Sequence, residues 1–238
     1  MAAQIMLGDI PVDVVLKSIK NIHLSVYPPQ GRVRIAAPLR MDLDTIRVFA
    51  ISKLGWIKAQ QRKLRSQPRE SPRVYLDRES HFVWGRRYLL KVVEREAPPG
   101  VTLRHSTMVL QLRPGTSAEK RQSVLDEWYR DQLKVEAQAL IAKWAGHMGI
   151  SQPALSTRKM KTKWGSCTPG AQSILLNLEL AKKPPVCLEY IVVHELVHLL
   201  EPTHNARFVA LINGLMPKWR FHRDELNRLP VKHEDWAY

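Results

Sequence analysis

Apolar and polar residues alternate along much of the first half of the chain, which is the pattern of half-buried β-strands. Residues 21–38 alternate on both sides of a Pro-Pro-Gln-Gly break and therefore predict a β-hairpin. Short alternating runs return between residues 81 and 112, where turn residues separate them. Between the two regions, apolar residues at helical spacing predict one helix that begins after Asp42 or Asp44 and runs to about Leu64.

Helical spacing dominates the second half of the chain. The predicted helices of this half include residues 117–144, 206–216 and 219–229. Residues 159–180 interrupt the helices with a second predicted hairpin. Together the two patterns predict an α+β fold, with a β-rich N-terminal region over residues 1–115 and a helical region over residues 116–238.

Residues 189–204 contain the spacing His-Glu-x-x-His within an apolar run. The pair Pro184-Pro185 can begin a helix here, and Pro202 ends it. His194 and His198 would then lie one turn apart on the same face, close enough to bind one metal ion. The alternative is an ordinary helix, in which two imidazoles among apolar side chains lack partners at a cost of about 1–3 kcal/mol each. We therefore expect a metal site.

A catalytic zinc ion needs neutral nitrogen or carboxylate ligands and an open coordination position. His204, which follows the helix-ending proline, is the best local candidate for a third ligand because the chain can turn back there. Glu201 and Asp224 are the next candidates for that role. Glu195 lies beside the histidine face and is placed to take a proton from a water molecule activated by the metal. The residues therefore predict a hydrolytic Zn²⁺ site with three imidazole ligands and one catalytic carboxylate.

The composition is that of a globular protein. The 238 residues are 45% apolar, and no apolar run approaches the ~20 residues of a membrane-spanning helix. Two cysteines, Cys167 and Cys187, are too few for a disulfide framework. The first residues lack the charged-then-apolar layout of a signal peptide. We therefore expect a cytoplasmic protein without membrane association.

Positive charge is concentrated in the first half of the chain. The net charge is +15, and residues 1–115 contribute 20 Lys and Arg against 9 Asp and Glu. Such a field favours polyanionic partners such as nucleic acids, or an anionic substrate. The basic end of the first helix, with Arg62, Lys63 and Arg65, is the candidate for non-specific nucleic-acid contact, although a solvated helix end would carry the same charges.

Several short motifs together resemble the YgjP-like metallopeptidases, a family of bacterial and archaeal metal-dependent hydrolases related to the SprT-like zincins. The resemblance covers nearly the whole chain. It depends on residues 163–167, 189–199, 204–208 and 216–219, with weaker support from residues 52–57 and 85–88.

The resemblance implies a zincin-like catalytic half of the gluzincin type, in which the three histidines bind zinc and Glu195 is the general base. Thr203, Asn205 and Val209 depart from the residues that the family usually has at these places. These departures change the pocket beside the metal rather than the ligands themselves.

In related zincins, a strand before the metal helix borders the cleft and can pair with an extended peptide. The resemblance therefore implies that Trp164, Gly165 and Ser166 contact the substrate. The other interpretation is that Trp164 covers the core and Gly165 marks a bend. Cys167 as a fourth ligand would close the open position that catalysis needs.

Three functions remain open from the sequence. The main hypothesis is a zinc metallopeptidase that acts on peptides or proteins, with Arg207 or His222 as a candidate stabiliser of the oxyanion. The enzymatic alternative is a nucleotide pyrophosphatase, because four cations alternate along the first strand of the second predicted hairpin, near the metal helix, and are candidates to bind phosphates. These cations are Arg158, Lys159, Lys161 and Lys163. The third hypothesis is a nucleic-acid-associated module whose metal is structural, which the charge distribution favours.

Overall fold

The computed structural model describes residues 2–27, 30–66, 75–160 and 163–229. These residues form two compact units, one up to residue 66 and one from residue 75 onward. Each unit combines β-sheet and α-helix, so the predicted α+β class is confirmed.

The first unit is built on a four-stranded sheet. Its strands are β1 (Ala2–Leu7), β2 (Ile10–Lys17), β3 (His23–Tyr27) and β4 (Arg32–Pro38). The order across the sheet is β1-β2-β4-β3, with β2 parallel to β4 and the other pairs antiparallel. The predicted hairpin is confirmed as β3 and β4, although Pro28 and Pro29 of its break lie outside the described residues. Strands β1 and β2 are additional to the predicted elements.

Two helices pack on this sheet. Helix α1 (Leu43–Ser52) is capped by the side chain of Asp42, as expected. Helix α2 (Leu54–Ser66) follows after a break at Lys53, so the prediction of one continuous helix is wrong. Both helices contribute to one core. That core includes Val12, Val33, Ile35, Ile46, Ala50 and Ile57.

The second unit begins with another four-stranded sheet. Its strands are β5 (Ser80–Val83), β6 (Arg86–Glu94), β7 (Gly100–Arg104) and β8 (Thr107–Leu112). The order is β5-β6-β8-β7, and β6 runs parallel to β8. These strands agree with the predicted run of short strands.

The long helix α3 (Ala118–Met148) follows this sheet. It begins at the N-cap Ser117 and ends at Gly149, which adopts the left-handed conformation. Leu110 and Leu112 of β8 share one core with Leu125 and Leu133 of α3. The division of the chain therefore falls between residues 66 and 75 and not near residue 115, because β5 to β8 bury their apolar side against the helical part.

The remaining elements carry the candidate site. A three-stranded sheet has the order β10-β11-β9, with β9 (Ala154–Arg158), β10 (Gly165–Thr168) and β11 (Ser173–Asn177). Three helices follow, α4 (Pro185–Leu200), α5 (Ala206–Leu215) and α6 (Trp219–Arg228). The second predicted hairpin is confirmed as β10 and β11, but its first strand starts only at Gly165.

This later start separates the cations that were expected along one strand. Arg158 ends β9, and Lys159 and Lys163 lie between strands. Lys159 is in an ion pair with Asp126 of α3. Lys161 lies outside the described residues. No strand of the described chain therefore presents the alternating cations that the sequence suggested.

The described helices do not include one with both the length and the apolar character needed to cross a membrane.

Asn177, at the end of β11, holds the segment that leads into β10. Its side-chain amide donates to the carbonyls of Met160 and Lys163 at 2.9 and 2.8 Å. Its side-chain oxygen accepts from the backbone N–H groups of Met160 and Glu179 at 3.3 and 3.2 Å. One buried amide thus fixes the backbone on both sides of the hairpin.

Replacing Asn177 with Ala should lower the free energy of unfolding by about 2 kcal/mol, because four hydrogen bonds lose a buried partner. Urea unfolding of the full chain measures this change. Gln111→Ala is the matched control, since that amide donates one hydrogen bond, to the carbonyl of Pro98, at an exposed place. Equal stability of the two variants would contradict the role assigned to Asn177.

Candidate metal centre

The start of helix α4 is held by the turn between β5 and β6. The backbone N–H groups of Trp84 and Gly85 donate to the carbonyls of Ala181 and Lys182 at 2.9 and 3.3 Å. A Cβ on Gly85 would lie 3.0 Å from the Pro184 ring, and the residue has φ +77°. This close approach needs a glycine, and it fixes the point from which α4 runs into the core.

Helix α4 places two imidazoles on one face, and the chain then returns to add a third. Candidate ligand atoms of His194, His198 and His204 all lie within 4.8 Å of one another. The Nε2 atoms of His194 and His204 are 3.0 Å apart. His204 follows the end of α4 in a turn in which Glu201 accepts a hydrogen bond from the Thr203 hydroxyl at 2.9 Å. The structure therefore brings together all three histidines that the sequence singled out.

The protonation of these imidazoles suits a metal. Nδ1 of His198 lies 3.1 Å from the carbonyl oxygen of Glu201, which makes Nδ1 the donor and leaves Nε2 as the ligand atom. Burial, together with the nearby His198 and His204, lowers the pKa of His194 to about 3, and burial also lowers the pKa of His198. Both rings are thus neutral at physiological pH, the form that coordinates zinc.

Phe208 of α5 forms the wall behind the cluster. Its ring centroid lies 5.0 Å from that of His194 and 4.7 Å from those of His198 and His204. On the N-terminal side, Tyr190 packs edge-on against His194 at 5.9 Å. Phe208 therefore packs against all three imidazole rings, and Tyr190 packs against that of His194 from the other side. The sequence identified Phe208 only as part of the family motif and did not predict its contact with the imidazoles.

Glu195 is buried beside the histidine face, against strand β10. A Cβ on Gly165 would lie 2.6 Å from Glu195 Oε1 and 2.9 Å from Ile191 Cγ2. The backbone of β10 thus passes directly over the carboxyl group. Burial raises the pKa of Glu195 to about 7, and the charge of Lys163 opposes this shift. Lys163, which the sequence pointed to only as a phosphate-binding cation, is therefore a neighbour of the carboxyl group.

Ser166 and Cys167 of β10 are half-buried, as is Trp164, which precedes the strand. The ring of Trp164 lies 5.9 Å from Lys183 Nζ, and Ser166 pairs with Leu175 of β11. Burial and the nearby Glu195 charge raise the pKa of the Cys167 thiol to about 11. The thiol is therefore protonated, and it does not belong to the group of possible metal ligands.

Arg207 and His222, the candidate oxyanion stabilisers, lie on different helices. Arg207 is exposed in the first turn of α5. His222 lies on α6, and its buried Nδ1 has no hydrogen-bond partner among the described residues. Among the described residues, no hydrogen bond or ion pair joins either side chain to Glu195, so the assignment of an oxyanion stabiliser stays a prediction.

The chemistry of the donor set fits a zinc ion, since three imidazoles converge next to a buried carboxyl group. Among the described His, Cys, Asp and Glu side chains, these three are the ones that form a ligand cluster. Three protein ligands rather than four are typical of catalytic zinc sites.

Two solved structures of metallopeptidase zymogens are similar to part of this chain. The chain is similar to the zymogen of the metallopeptidase abylysin from Pyrococcus abyssi, with 21% identity and a TM-score of 0.36 over 40% of this chain and 99% of that chain. It is also similar to the zymogen of the metallopeptidase jannalysin from Methanocaldococcus jannaschii, with 17% identity and a TM-score of 0.35 over 38% of this chain and 92% of that chain. No curated protein matches the sequence.

A family model described as the YgjP-like metallopeptidase domain matches residues 20–229. The match covers nearly the whole chain, including both units and the histidine cluster. The chain therefore belongs to the YgjP-like metallopeptidase family and is a metal-dependent hydrolase.

Proposed function

We propose that the protein is a zinc-dependent peptidase in which His194, His198 and His204 hold the metal and Glu195 is the general base. The observation that carries this proposal is the convergence of three imidazoles within 4.8 Å beside a buried carboxyl group. Such a constellation is typical of metal-assisted hydrolysis.

The three histidines and Glu195 have different roles in the proposed reaction. Zinc held by the three imidazoles would act as a Lewis acid that polarises the substrate carbonyl and makes water a stronger nucleophile. Glu195 accepts the proton of the attacking water and returns it to the leaving amine. Its position against Gly165 keeps the carboxyl group in one place, so that the base is oriented before the substrate binds.

The free edge of β10 is the proposed place for the substrate backbone. Strand β10 is the outer strand of its sheet and pairs with β11 on one side. Its Gly165 lies against Glu195, so a peptide added along this edge would pass the catalytic carboxyl group. Main-chain hydrogen bonds to an edge strand bind extended peptides with little dependence on their side chains. We therefore expect unfolded proteins or extended peptides as substrates, with Trp164 and Ser166 flanking the bound strand.

The pyrophosphatase alternative has lost part of its support. It depended on four cations near the metal helix, but Lys159 is paired with Asp126 and Arg158 ends β9. Strand β9 lies at the side of the sheet opposite to β10. The two reactions are distinguished by incubating the parent protein and Glu195→Gln with unfolded casein, extended peptides and nucleoside triphosphates. Release of pyrophosphate without peptide cleavage would replace the proposed function.

His204→Ala should reduce bound zinc from about one per chain to a small fraction, because two imidazoles form a much weaker site than three. Elemental analysis of the purified variants gives the zinc content. His147→Ala is the control, since His147 is an exposed histidine near the end of α3 that lies outside the cluster. Unchanged zinc in His204→Ala would move the third ligand elsewhere, with Glu201 as the next residue to test.

Glu195→Gln should keep both the zinc and the fold but lose at least ~100-fold in the rate of peptide hydrolysis, because an amide cannot accept the proton of water. Turnover of a quenched fluorescent peptide measures the rate. Zinc content and thermal unfolding, measured on the same preparation, separate a lost base from a lost site. Full activity in this variant would remove the general-base role and leave the metal site in place.

Gly165→Ala should lower peptide hydrolysis by roughly 10- to 100-fold, because the new methyl group must displace the Glu195 carboxyl group or β10 itself. Zinc content should remain near that of the parent, since the methyl group meets Glu195 and Ile191 rather than a histidine. The control is Gly170→Ala, where a Cβ meets no atom within 4 Å. Equal activity of the two variants would contradict the placement of β10 over the catalytic carboxyl group.

A further inference from the structure

A groove runs beside helix α2 in the first unit. It consists of two open depressions of about 480 and 430 Å³. Lys58, Arg62 and Arg65 line the first depression from the helix side, opposite the turn between β1 and β2. Arg65 also lines the second depression, together with Arg32 and its ion-pair partner Asp13. The two depressions share lining residues and are therefore adjacent, and together they form the groove.

The packing of α2 on the sheet decides which cations face the groove. Ile57 is fully buried, and Gln61 donates to the carbonyl oxygen of Gly31 at 2.8 Å. A Cβ on Gly31 would lie 2.6 Å from Gln61 Cγ, so the helix and the turn between β3 and β4 are in close contact. With that side fixed, Lys58, Arg62 and Arg65 form a stripe at i, i+4 and i+7 along one side of the helix. Lys63 is exposed on another side and does not line the groove.

Among the described residues, no ion pair balances the charge of this stripe. Lys58, Arg62 and Arg65 are exposed, and no ion pair with another described residue neutralises them. Residues 2–66 contain eleven Lys and Arg but only four acids, all of them Asp. Three of these acids are engaged in contacts of their own, in an ion pair with Arg32, in the cap of α1 and in an ion pair with Arg47. The fourth, Asp9, lines the first depression opposite the stripe, and the acid that is paired with Arg32 lines the second.

We propose that this groove binds a single strand of nucleic acid through its sugar-phosphate backbone. Cations at i, i+4 and i+7 recur about every 4.5–6 Å along a helix axis, so they can contact successive charges of a linear polyanion. A groove with a positive wall that follows the backbone is the general design of single-strand binding sites.

The lining also indicates how such a strand is held. None of the residues that line the two depressions is aromatic, so bases are not stacked there and sequence preference is weak. Gln4, Gln30 and Gln61 supply amides that can donate to phosphate or sugar oxygens. A membrane surface is a poorer match, because surface-binding helices pair their cations with an apolar face that enters the lipid, whereas the apolar face of α2 is buried on the sheet.

The number of cations sets the expected salt dependence. Three contacts, from Lys58, Arg62 and Arg65, predict a slope of log K against log salt of about −2.1 for a single strand. Affinity should therefore fall roughly 20-fold between 50 and 200 mM salt. The groove also changes the set of candidate residues, since Lys58 joins Arg62 and Arg65 while Lys63 is left out.

The test uses fluorescence anisotropy of the full-length protein with fluorescein-labelled oligo-dT and oligo-U of twelve nucleotides at 50 mM salt. The groove variant Lys58→Gln/Arg62→Gln/Arg65→Gln should bind at least about tenfold more weakly than the parent, with a salt slope close to zero. The control variant Lys20→Gln/Lys53→Gln/Lys63→Gln removes the same charge at exposed residues that do not line the groove, and it should bind like the parent. Zinc content and the melting temperature should be the same in all three proteins.

Several outcomes would overturn the proposal. Failure of the parent protein to bind either oligonucleotide at 50 mM salt would contradict it. An equal loss of affinity in the control variant and the groove variant would show an effect of bulk charge and not of the groove. A poly-Glu peptide or phosphatidylserine vesicles that bind more tightly than the oligonucleotides, in a groove-dependent manner, would assign the site to another class of partner. Tighter binding of a duplex of the same length would exclude a single-strand site. None of these measurements uses the peptidase activity. Nucleic-acid binding by the groove and the proposed peptidase function can therefore be refuted independently of each other.

Discussion

The close approach of strand β10 to helix α4 is the constraint on which the candidate centre depends. Gly165 has no side chain, and this allows the strand to lie directly over Glu195 and Ile191. The same contact buries the carboxyl group under the outer strand of its sheet. One packing contact thus brings together the proposed general base and the strand that is proposed to bind the peptide. Asn177 and the turn before α4 hold the segments that lead into the strand and the helix.

Burial lowers the pKa of His194 but raises the pKa of Glu195, and both shifts suit the proposed hydrolysis. Removal from water disfavours charge, so it keeps His194 neutral and available as a ligand. The same removal raises the pKa of Glu195 toward neutrality, so that its carboxyl group can both take up and release a proton near physiological pH. The apolar residues that surround the motif in α4 are therefore part of its chemistry as well as of the core.

The two units differ in the kind of surface that they offer. The second unit contains the ligands, the carboxyl group and the edge strand, all within one core of helices and sheets. The first unit has a small core of its own, an excess of positive charge and a groove lined by cations. The family match includes most of the first unit as well as the second. We infer that the basic unit contributes to the choice of partner, whereas hydrolysis belongs to the second unit.

The sequence by itself determined the local elements and the chemistry of the metal motif. The spacing of His194 and His198 on one helix follows from helical geometry, and the prolines and caps that bound α3 and α4 are local signals. Local sequence signals do not predict the contacts between segments that are distant along the chain. Periodicity did not show that α2 begins anew after Lys53, that β5 to β8 join the helical unit, or that Lys159 pairs with Asp126. The placement of Gly165 against Glu195 and the separation of Lys63 from the groove also needed the tertiary structure, because each depends on which surfaces pack together.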